Sequence, residues 1–282
     1  MIKILLELNK VKIVSAVTLS TLLGYVMAYG SFSTGAIIPV LGIFILAGGS
    51  AMLNQYQEIE IDRVMERTKN RPLPTGKINK NLVLFILLAE IITGSALLYY
   101  SSGFLAMQLG LLALLWYNGI YTNLKKKTPF AVIPGAFIGA IPPAVGWVAG
   151  GGMLSDPSII VIGFFFFMWQ IPHFWLLALM HGEEYTKAGL PSVTEIYDTN
   201  QLKKITFIWT LATAISAMFI PVFGLVDSTL QKVIISILNV SLIFLFLKLY
   251  TSSKPEFNIK KYFITINVFL LFVMIAIFVD NI

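Results

Sequence analysis

Acidic and basic residues are concentrated in one segment, residues 54–74, which reads NQYQEIEIDRVMERTKNRPLP. Asn54, Glu58 and Asp62 stand four positions apart within it. On a continuing helix, this spacing places their side chains along one face, each about 40° further round than the last. Carboxylate and amide oxygens are the hard ligands that Mg²⁺ prefers, together with substrate phosphates and water. The spacing therefore predicts a magnesium site that takes a phosphorylated substrate.

Three arginines in the same segment, Arg63, Arg67 and Arg71, repeat the four-residue spacing and offer guanidinium groups to diphosphate oxygens. Pro72 predicts that the helix ends at Arg71, because proline cannot continue a helix. Glu60 lies off the shared face and reaches a second ion only if the backbone departs from a helix. The alternative is a solvated charged loop with local ion pairs, which is what charge runs usually are.

A second acidic segment, beginning HGEEY at residue 181, follows an apolar span. If Glu183 and Glu184 face the first segment, they complete a second magnesium site, and the two ions flank one diphosphate. That arrangement suits the ionisation of an allylic diphosphate, because neutralising the leaving group lowers the barrier to C–O cleavage. Whether Glu60 and Glu183 bind metal or face water stays open.

Aromatic residues surround His173, which stands inside an apolar span beside Trp169 and Phe174. A histidine there is either a hydrogen-bonded structural residue or a site residue, and both interpretations stay open. Aromatic side chains in a membrane helix usually face the core or the lipid. Their second role would be to stabilise a carbocation through their π faces.

Two further segments carry weaker signals. The loop with Tyr121, Lys125 and Lys126 is typical of a cytoplasmic loop, and its lysines are also well placed to bind a diphosphate. The run GAFIGAIPPAVGW, residues 135–147, predicts close helix packing and a broken helix.

Membrane spans must position these residues. Hydrophobic residues make up 57% of the chain and charged residues 12%, against about 25% charged in soluble domains. A crossing of ~30 Å of hydrocarbon needs ~20 apolar residues. Nine stretches of suitable length occur, at 11–29, 34–53, 81–100, 103–121, 131–150, 158–180, 204–225, 230–250 and 261–280. We expect an all-α polytopic membrane protein with nine transmembrane helices around a central cavity that opens to the cytoplasmic side.

The same pattern predicts the domain organisation and the orientation. Residues 1–282 form one domain, with active-site loops at about 54–80, 122–130 and 181–203. Of the 20 Lys and Arg residues, 19 fall on one side of the nine spans, and Lys232 falls on the other. Because cytoplasmic loops retain positive charge, the N-terminus is predicted in the cytoplasm and the C-terminus outside. The net charge of +6 then needs no nucleic acid as a partner, and the absence of cysteine excludes disulfides.

The acidic motif resembles that of the UbiA-type intramembrane prenyltransferases at Asn54, Glu58 and Asp62. The heme O synthase (protoheme IX farnesyltransferase) branch of that superfamily is the most similar. Segments typical of this branch are Asp62-Arg63, Arg67-Thr68, Arg71-Pro72-Leu73, the Tyr-Thr-x-Leu-Lys loop at 121–125, the Pro-Pro run at 139–147, the Pro-His-Phe segment at 169–174 and the pair Glu184-Tyr185. Three glutamates, Glu58, Glu60 and Glu184, replace aspartates that the family usually shows.

The resemblance implies Mg²⁺-dependent transfer of a farnesyl group from farnesyl diphosphate to the vinyl group of heme B, giving heme O. It also implies the plasma (inner) membrane of a prokaryote, with heme A synthase or a terminal oxidase assembly as candidate partners. The catalytic residues that it implies are Asn54, Glu58, Asp62, Arg67, Arg71, Glu184, Tyr185 and His173. The implied substrate-binding residues are Arg63, Lys125, Lys126, Tyr121, Trp169 and Phe174. The implied metal ligands are Asn54, Glu58, Asp62, Glu184 and Glu183.

Two alternatives stay open. The first is another UbiA-type prenyltransferase, acting on an aromatic acid, a quinone precursor or another tetrapyrrole. The second is a membrane transporter or lipid-binding protein whose charged loops gate an anion. A transporter is expected to place ionisable residues near the membrane midplane and to show inverted repeats. The predicted midplane here is nearly free of charge, with Glu90 as the main exception, so the pattern favours surface chemistry.

Overall fold

The computed structural model describes residues 1–251 and 258–282, which contain helices and no strand. Lys254, one of the cations behind the orientation prediction, lies outside the described residues. The α-helices of the described residues are α1 Ile2–Leu8, α2 Val11–Tyr29, α3 Ile37–Gln57, α4 Ile59–Val64, α5 Lys80–Leu114, α6 Thr122–Leu124, α7 Val132–Ala149, α8 Pro157–Lys187, α9 Thr199–Val222, α10 Thr229–Thr251 and α11 Ile259–Asp280. A π-helical turn, Leu115–Tyr121, joins α5 to α6. The all-α fold class is therefore confirmed.

Eight helical stretches of the described residues are long and apolar enough to cross a membrane. One of them, Lys80–Leu124, has 45 residues, about twice the ~20 that a crossing needs. Within it, Gly103 has φ 82° and ψ −178°, values that only glycine adopts readily. Leu98 lies 2.7 Å from the position that a Cβ atom on Gly110 would take, although ~18 Å of straight helix would separate the two. The chain therefore reverses at Gly103, and the count of nine crossings stays a prediction.

The backbones of α2 and α7 touch where they cross. A Cβ atom on Gly24 would overlap the carbonyl oxygen of Pro143, and one on Gly146 would overlap that of Thr21. In a bilayer, helices associate through such small-residue contacts, since lipid tails are as apolar as the side chains. The close packing predicted for residues 135–147 is confirmed.

The broken helix predicted for the same run is wrong. α7 continues through Pro142 and Pro143, and both prolines are buried among the neighbouring helices. A transmembrane helix tolerates proline when its surroundings satisfy the backbone carbonyls that the missing N–H groups leave free.

The main apolar core joins α8 to the three helices that follow it. Phe165, Ile220, Phe246 and Val273 belong to this cluster and are fully buried. Many large apolar side chains instead lie on the outer surface, as Tyr100 does at 84% exposure. A soluble protein would not expose so much apolar surface, so the outer face is the surface that lipid covers.

The C-terminal end of α11 is tied to the turn before α10. Both carboxylate oxygens of Asp280 accept backbone N–H groups there, from Asp227 at 2.5 Å and from Ser228 at 3.0 Å. We expect Asp280→Ala to lower the thermal unfolding midpoint in detergent by about 2 to 4 °C, because both N–H groups lose a charged acceptor. Asp227→Asn is the matched control, since it keeps the N–H that Asp280 binds. An unchanged midpoint for Asp280→Ala would show that water replaces the carboxylate without loss.

Candidate active site

The predicted trio Asn54, Glu58 and Asp62 is buried where α3 ends and α4 begins, and these residues are 3%, 5% and 3% exposed. The helix does not continue through it, because Glu58 has φ −116° and ψ 15° and a separate helix, α4, begins after it. The N–H of Asp62 nevertheless donates to the carbonyl of Glu58 at 2.8 Å. A helical four-residue step is therefore kept between the two acids across the break.

The three arginines do not share a face, which corrects the prediction from their spacing. α4 ends at Val64, before the predicted end at Arg71. The hydroxyl of Thr68 donates to the Asp62 carbonyl, so it satisfies one acceptor near the helix end. Arg71 folds back, and its Nη1 donates to both carboxylate oxygens of Asp62 at 2.9 and 2.8 Å.

The other two arginines have different surroundings. Arg63 pairs with Glu60 at 2.7 Å, and both side chains are largely exposed, at 48% and 73%. The side chain of Arg67 is exposed, while its backbone N–H faces the second acidic segment. Of the three arginines, Arg71 is therefore the one that contacts the trio directly, through the carboxylate of Asp62.

Two lysines from distant segments complete the surroundings of the trio. Lys125 Nζ lies 2.5 Å from Glu58 Oε1. Lys10 Nζ donates to Asn54 Oδ1 at 2.9 Å. The amide of Asn54 donates in turn to the hydroxyl of Thr122 at 3.3 Å. Each member of the trio thus has one cation beside it.

Lys10 was missed from the sequence, because a lysine just before the first apolar span is explained sufficiently by the rule for cytoplasmic charges. Burial, followed by the Arg71 charge, lowers the pKa of Lys10 from 10.5 to about 7, while the Glu58 and Asp62 carboxylates act in the opposite direction. Burial has the largest effect on the pKa of Lys10, as expected for an ammonium group removed from water.

The second acidic segment meets the first through Glu184, near the end of α8. One carboxylate oxygen of Glu184 accepts the backbone N–H of Arg67 at 3.3 Å, and the other lies 3.6 Å from His181 Nδ1. Tyr185 interacts electrostatically with Arg67, Glu184 and Glu58. Glu183 is exposed. Of the two predicted glutamates, Glu184 is therefore the one that reaches the loop following Asp62.

The trio fits Mg²⁺ by the chemistry of its donors, namely two carboxylates and an amide oxygen. Among the described residues, no group of three or more His, Cys, Asp or Glu side chains lies close enough to hold a metal ion. The two buried acids are instead neutralised by Arg71 and Lys125. Buried carboxylates need a positive partner, and a divalent ion at the trio would take over that role.

An aromatic wall leads from the trio into the membrane span. Tyr121 stacks on Tyr117 with ring centroids 5.9 Å apart and contacts Phe174 at 6.0 Å. His173 follows, 4.9 Å from the Trp169 ring, and its Nδ1 is buried without a hydrogen-bond partner. The indole N–H of Trp169 is used structurally, since it donates to the carbonyl of Ile266.

Two cavities among the described residues lie away from the trio. One of about 180 Å³ is apolar and lies between the second half of the Gly103 hairpin, α7 and α8, lined among others by Leu112, Phe137 and Ile160. The other, of about 280 Å³, lies at the start of α11. The central cavity and its opening to the cytoplasm stay predictions.

Comparisons with known proteins identify the family. The model of the UbiA prenyltransferase family matches residues 17–275. A protoheme IX farnesyltransferase of Geobacter sulfurreducens is 39% identical over 188 residues, which are 67% of this chain and 69% of that protein. That of Oleidesulfovibrio alaskensis is 30% identical over 275 residues, which are 98% and 95% of the two chains.

Solved structures have the same fold. Digeranylgeranylglyceryl phosphate synthase superposes with a TM-score of 0.80 at 18% identity, covering 99% of this chain and 98% of that one. A UbiA homologue from Archaeoglobus fulgidus bound to GPP and Mg²⁺ superposes with a TM-score of 0.64 at 17% identity, covering 97% and 99%. With the family match over residues 17–275, these findings establish that the chain is a membrane-embedded prenyltransferase and belongs to the UbiA prenyltransferase family.

Proposed function

We propose that this chain transfers a farnesyl group from farnesyl diphosphate to the vinyl group of heme B, giving heme O, in a Mg²⁺-dependent reaction. The observation that carries the proposal is the convergence of the buried trio with Arg71 from its own loop and Lys125 from the loop at 122–130. The names of the relatives support heme as the acceptor. The homologue with GPP and Mg²⁺ supports a metal-assisted diphosphate site.

In this proposal, Asn54, Glu58, Asp62 and Glu184 hold the metal. Bound Mg²⁺ would supply positive charge to the diphosphate leaving group. Arg67, Arg71, Lys125 and Lys126 bind the diphosphate oxygens, because guanidinium and ammonium groups form charge-assisted hydrogen bonds with them. With a metal ion bound to Asp62 and Glu58, Arg71 and Lys125 would be free to bind the diphosphate.

The carbon chemistry takes place beside the aromatic wall. The C1–O bond of farnesyl diphosphate breaks, and its electron pair leaves with the diphosphate. The π electrons of the heme vinyl group then form the new C–C bond, and water captures the resulting cation with loss of a proton. Tyr121, Trp169 and Phe174 keep bulk water from the allylic cation and stabilise it through their π faces. His173 offers its unpartnered Nδ1 to heme or to the released proton.

The loops at 54–80, 122–130 and 181–203 face the cytoplasm in the plasma membrane of a prokaryote, and the C-terminus lies outside. Residues 1–282 act as one domain around the central cavity. Heme A synthase or a terminal oxidase assembly receives the product.

The test is an assay of membranes that contain the chain, with heme B and labelled farnesyl diphosphate, with and without Mg²⁺. We expect a Mg²⁺-dependent product with the mass of heme O. Transfer of label to an aromatic acid or quinone precursor, with none to heme B, would favour another UbiA-type acceptor. Absence of transfer to every acceptor would contradict the proposed reaction.

A further inference from the structure

The end of α1 is fastened to two other helices at three consecutive residues. The carbonyl of Leu8 accepts the side-chain amide of Gln55 at 2.7 Å. Asn9 donates to Glu90 on α5 at 3.2 Å. Lys10 then donates to Asn54 at 2.9 Å. The two residues that directly precede Lys10 are therefore anchored to α3 and α5.

The backbone of Lys10 is held in a conformation that lysine rarely adopts. Its φ of 47° and ψ of 46° are left-handed. Among the residues described, Lys10 is the one non-glycine residue with a positive φ. This conformation is strained for a residue that carries a Cβ atom. Such strain persists where the surrounding structure over-determines it, and it concentrates at ligand-binding sites.

The charges around the trio exceed what the buried acids need. Glu58 and Asp62 carry the two negative charges, and Lys125 and Arg71 already pair with them. Lys10 is a third basic side chain, and its hydrogen-bond partner Asn54 is a neutral amide. Neutralisation of buried carboxylates therefore does not account for Lys10. A surplus cation beside metal-binding oxygens suits a ligand with more negative charge than the metal can balance.

We propose that Lys10, in the turn between α1 and α2, is a diphosphate-binding residue of this active site. The inference rests on the proposed function, which assigns Asn54 to the metal. When Asn54 turns its oxygen to Mg²⁺, the ammonium group of Lys10 loses its present acceptor and binds a diphosphate oxygen. The chemistry that Lys10 recognises is the diphosphate group, whether it belongs to a prenyl diphosphate or to free pyrophosphate.

The test measures binding, so that it does not depend on turnover. Calorimetry on the purified chain in detergent gives the Kd of inorganic pyrophosphate and of a non-ionisable farnesyl thiodiphosphate, both with Mg²⁺. We expect Lys10→Met to weaken both ligands about tenfold or more, the loss of one charge-assisted hydrogen bond. Lys12→Met is the matched control, because Lys12 lies two positions away on the same segment and is exposed. Lys10→Arg is expected to restore most of the affinity.

Lys10→Gln keeps a donor for Asn54 but carries no charge. It therefore separates the effect of the charge on binding from the effect of the turn structure. The inference is overturned if Lys10→Met or Lys10→Gln binds both ligands as tightly as Lys12→Met does. In that case the proposed function is unaffected, provided that the wild-type protein binds both ligands. If wild-type protein binds neither ligand, the metal and diphosphate site of the proposed function is overturned as well. If Lys10→Met does not fold, the inference is tested by comparing the affinity of Lys10→Gln with that of Lys12→Met.

Discussion

Replacing Asp62 with asparagine is expected to lower kcat/KM for farnesyl diphosphate by about a hundredfold or more. Asp62 is the buried carboxylate that both carries metal-binding oxygens and holds Arg71. The asparagine has nearly the same shape but no charge, so it weakens the grip on Mg²⁺ at the moment when charge develops on the diphosphate. The measurement is heme O formation by membranes with equal amounts of each variant.

The control for this prediction is Glu66→Gln, which removes an acid from the same loop. Glu66 is 74% exposed and pairs with Lys69 three residues away, so its loss is expected to leave activity within about twofold. Undiminished heme O from Asp62→Asn would refute the metal role of Asp62. Equal losses from both variants would point to loop folding instead of metal binding.

Stability separates the two roles of Asp62. With Asp62→Asn, the partly buried guanidinium of Arg71 loses its charged partner, and the free energy of unfolding is expected to fall by about 3 kcal/mol. The double variant Asp62→Asn/Arg71→Met removes both charges, so stability is expected to recover in part. Activity is not expected to recover, because the catalytic role needs both charges.

The sequence predicted best where the physical signal is local. Apolar length predicts the spans, and the boundary placed between residues 100 and 103 coincides with the reversal at Gly103. The four-residue spacing of Asn54, Glu58 and Asp62 predicts that the three belong to one site, and the structure buries all three although the helix is interrupted at Glu58. One irregular residue does not separate Glu58 from Asp62, because the hydrogen bond between them keeps the helical four-residue step.

Prediction failed where the position of a side chain depends on distant partners. The arginines follow the same spacing as the trio, yet the chain beyond Val64 leaves the helix and returns Arg71 to Asp62. Lys10 meets Asn54 across 44 positions. Periodicity carries no information about such contacts, and a single cation has no pattern of its own.

Replacing Gly146 with alanine is expected to disrupt the fold, with a loss of about 3 kcal/mol or more in the free energy of unfolding. The new Cβ atom would overlap the backbone carbonyl of Thr21, which belongs to α2 and cannot rotate away as a side chain does. α2 and α7 would have to separate. Because Lys10 directly precedes α2, this separation also moves its ammonium group from Asn54.

Gly163→Ala is the matched control for this packing prediction. Its Cβ atom would meet the Cβ of Ala140 at 3.8 Å, an ordinary van der Waals distance. Alanine at position 163 is also favoured over glycine by its helix propensity, so the control should unfold no earlier than the wild type. The measurement is the thermal midpoint of detergent-purified protein, together with the fraction recovered as a monodisperse species. Similar midpoints for Gly146→Ala and Gly163→Ala would show that α2 and α7 can move apart cheaply, and the close crossing would then not be what holds the start of α2 at the active site.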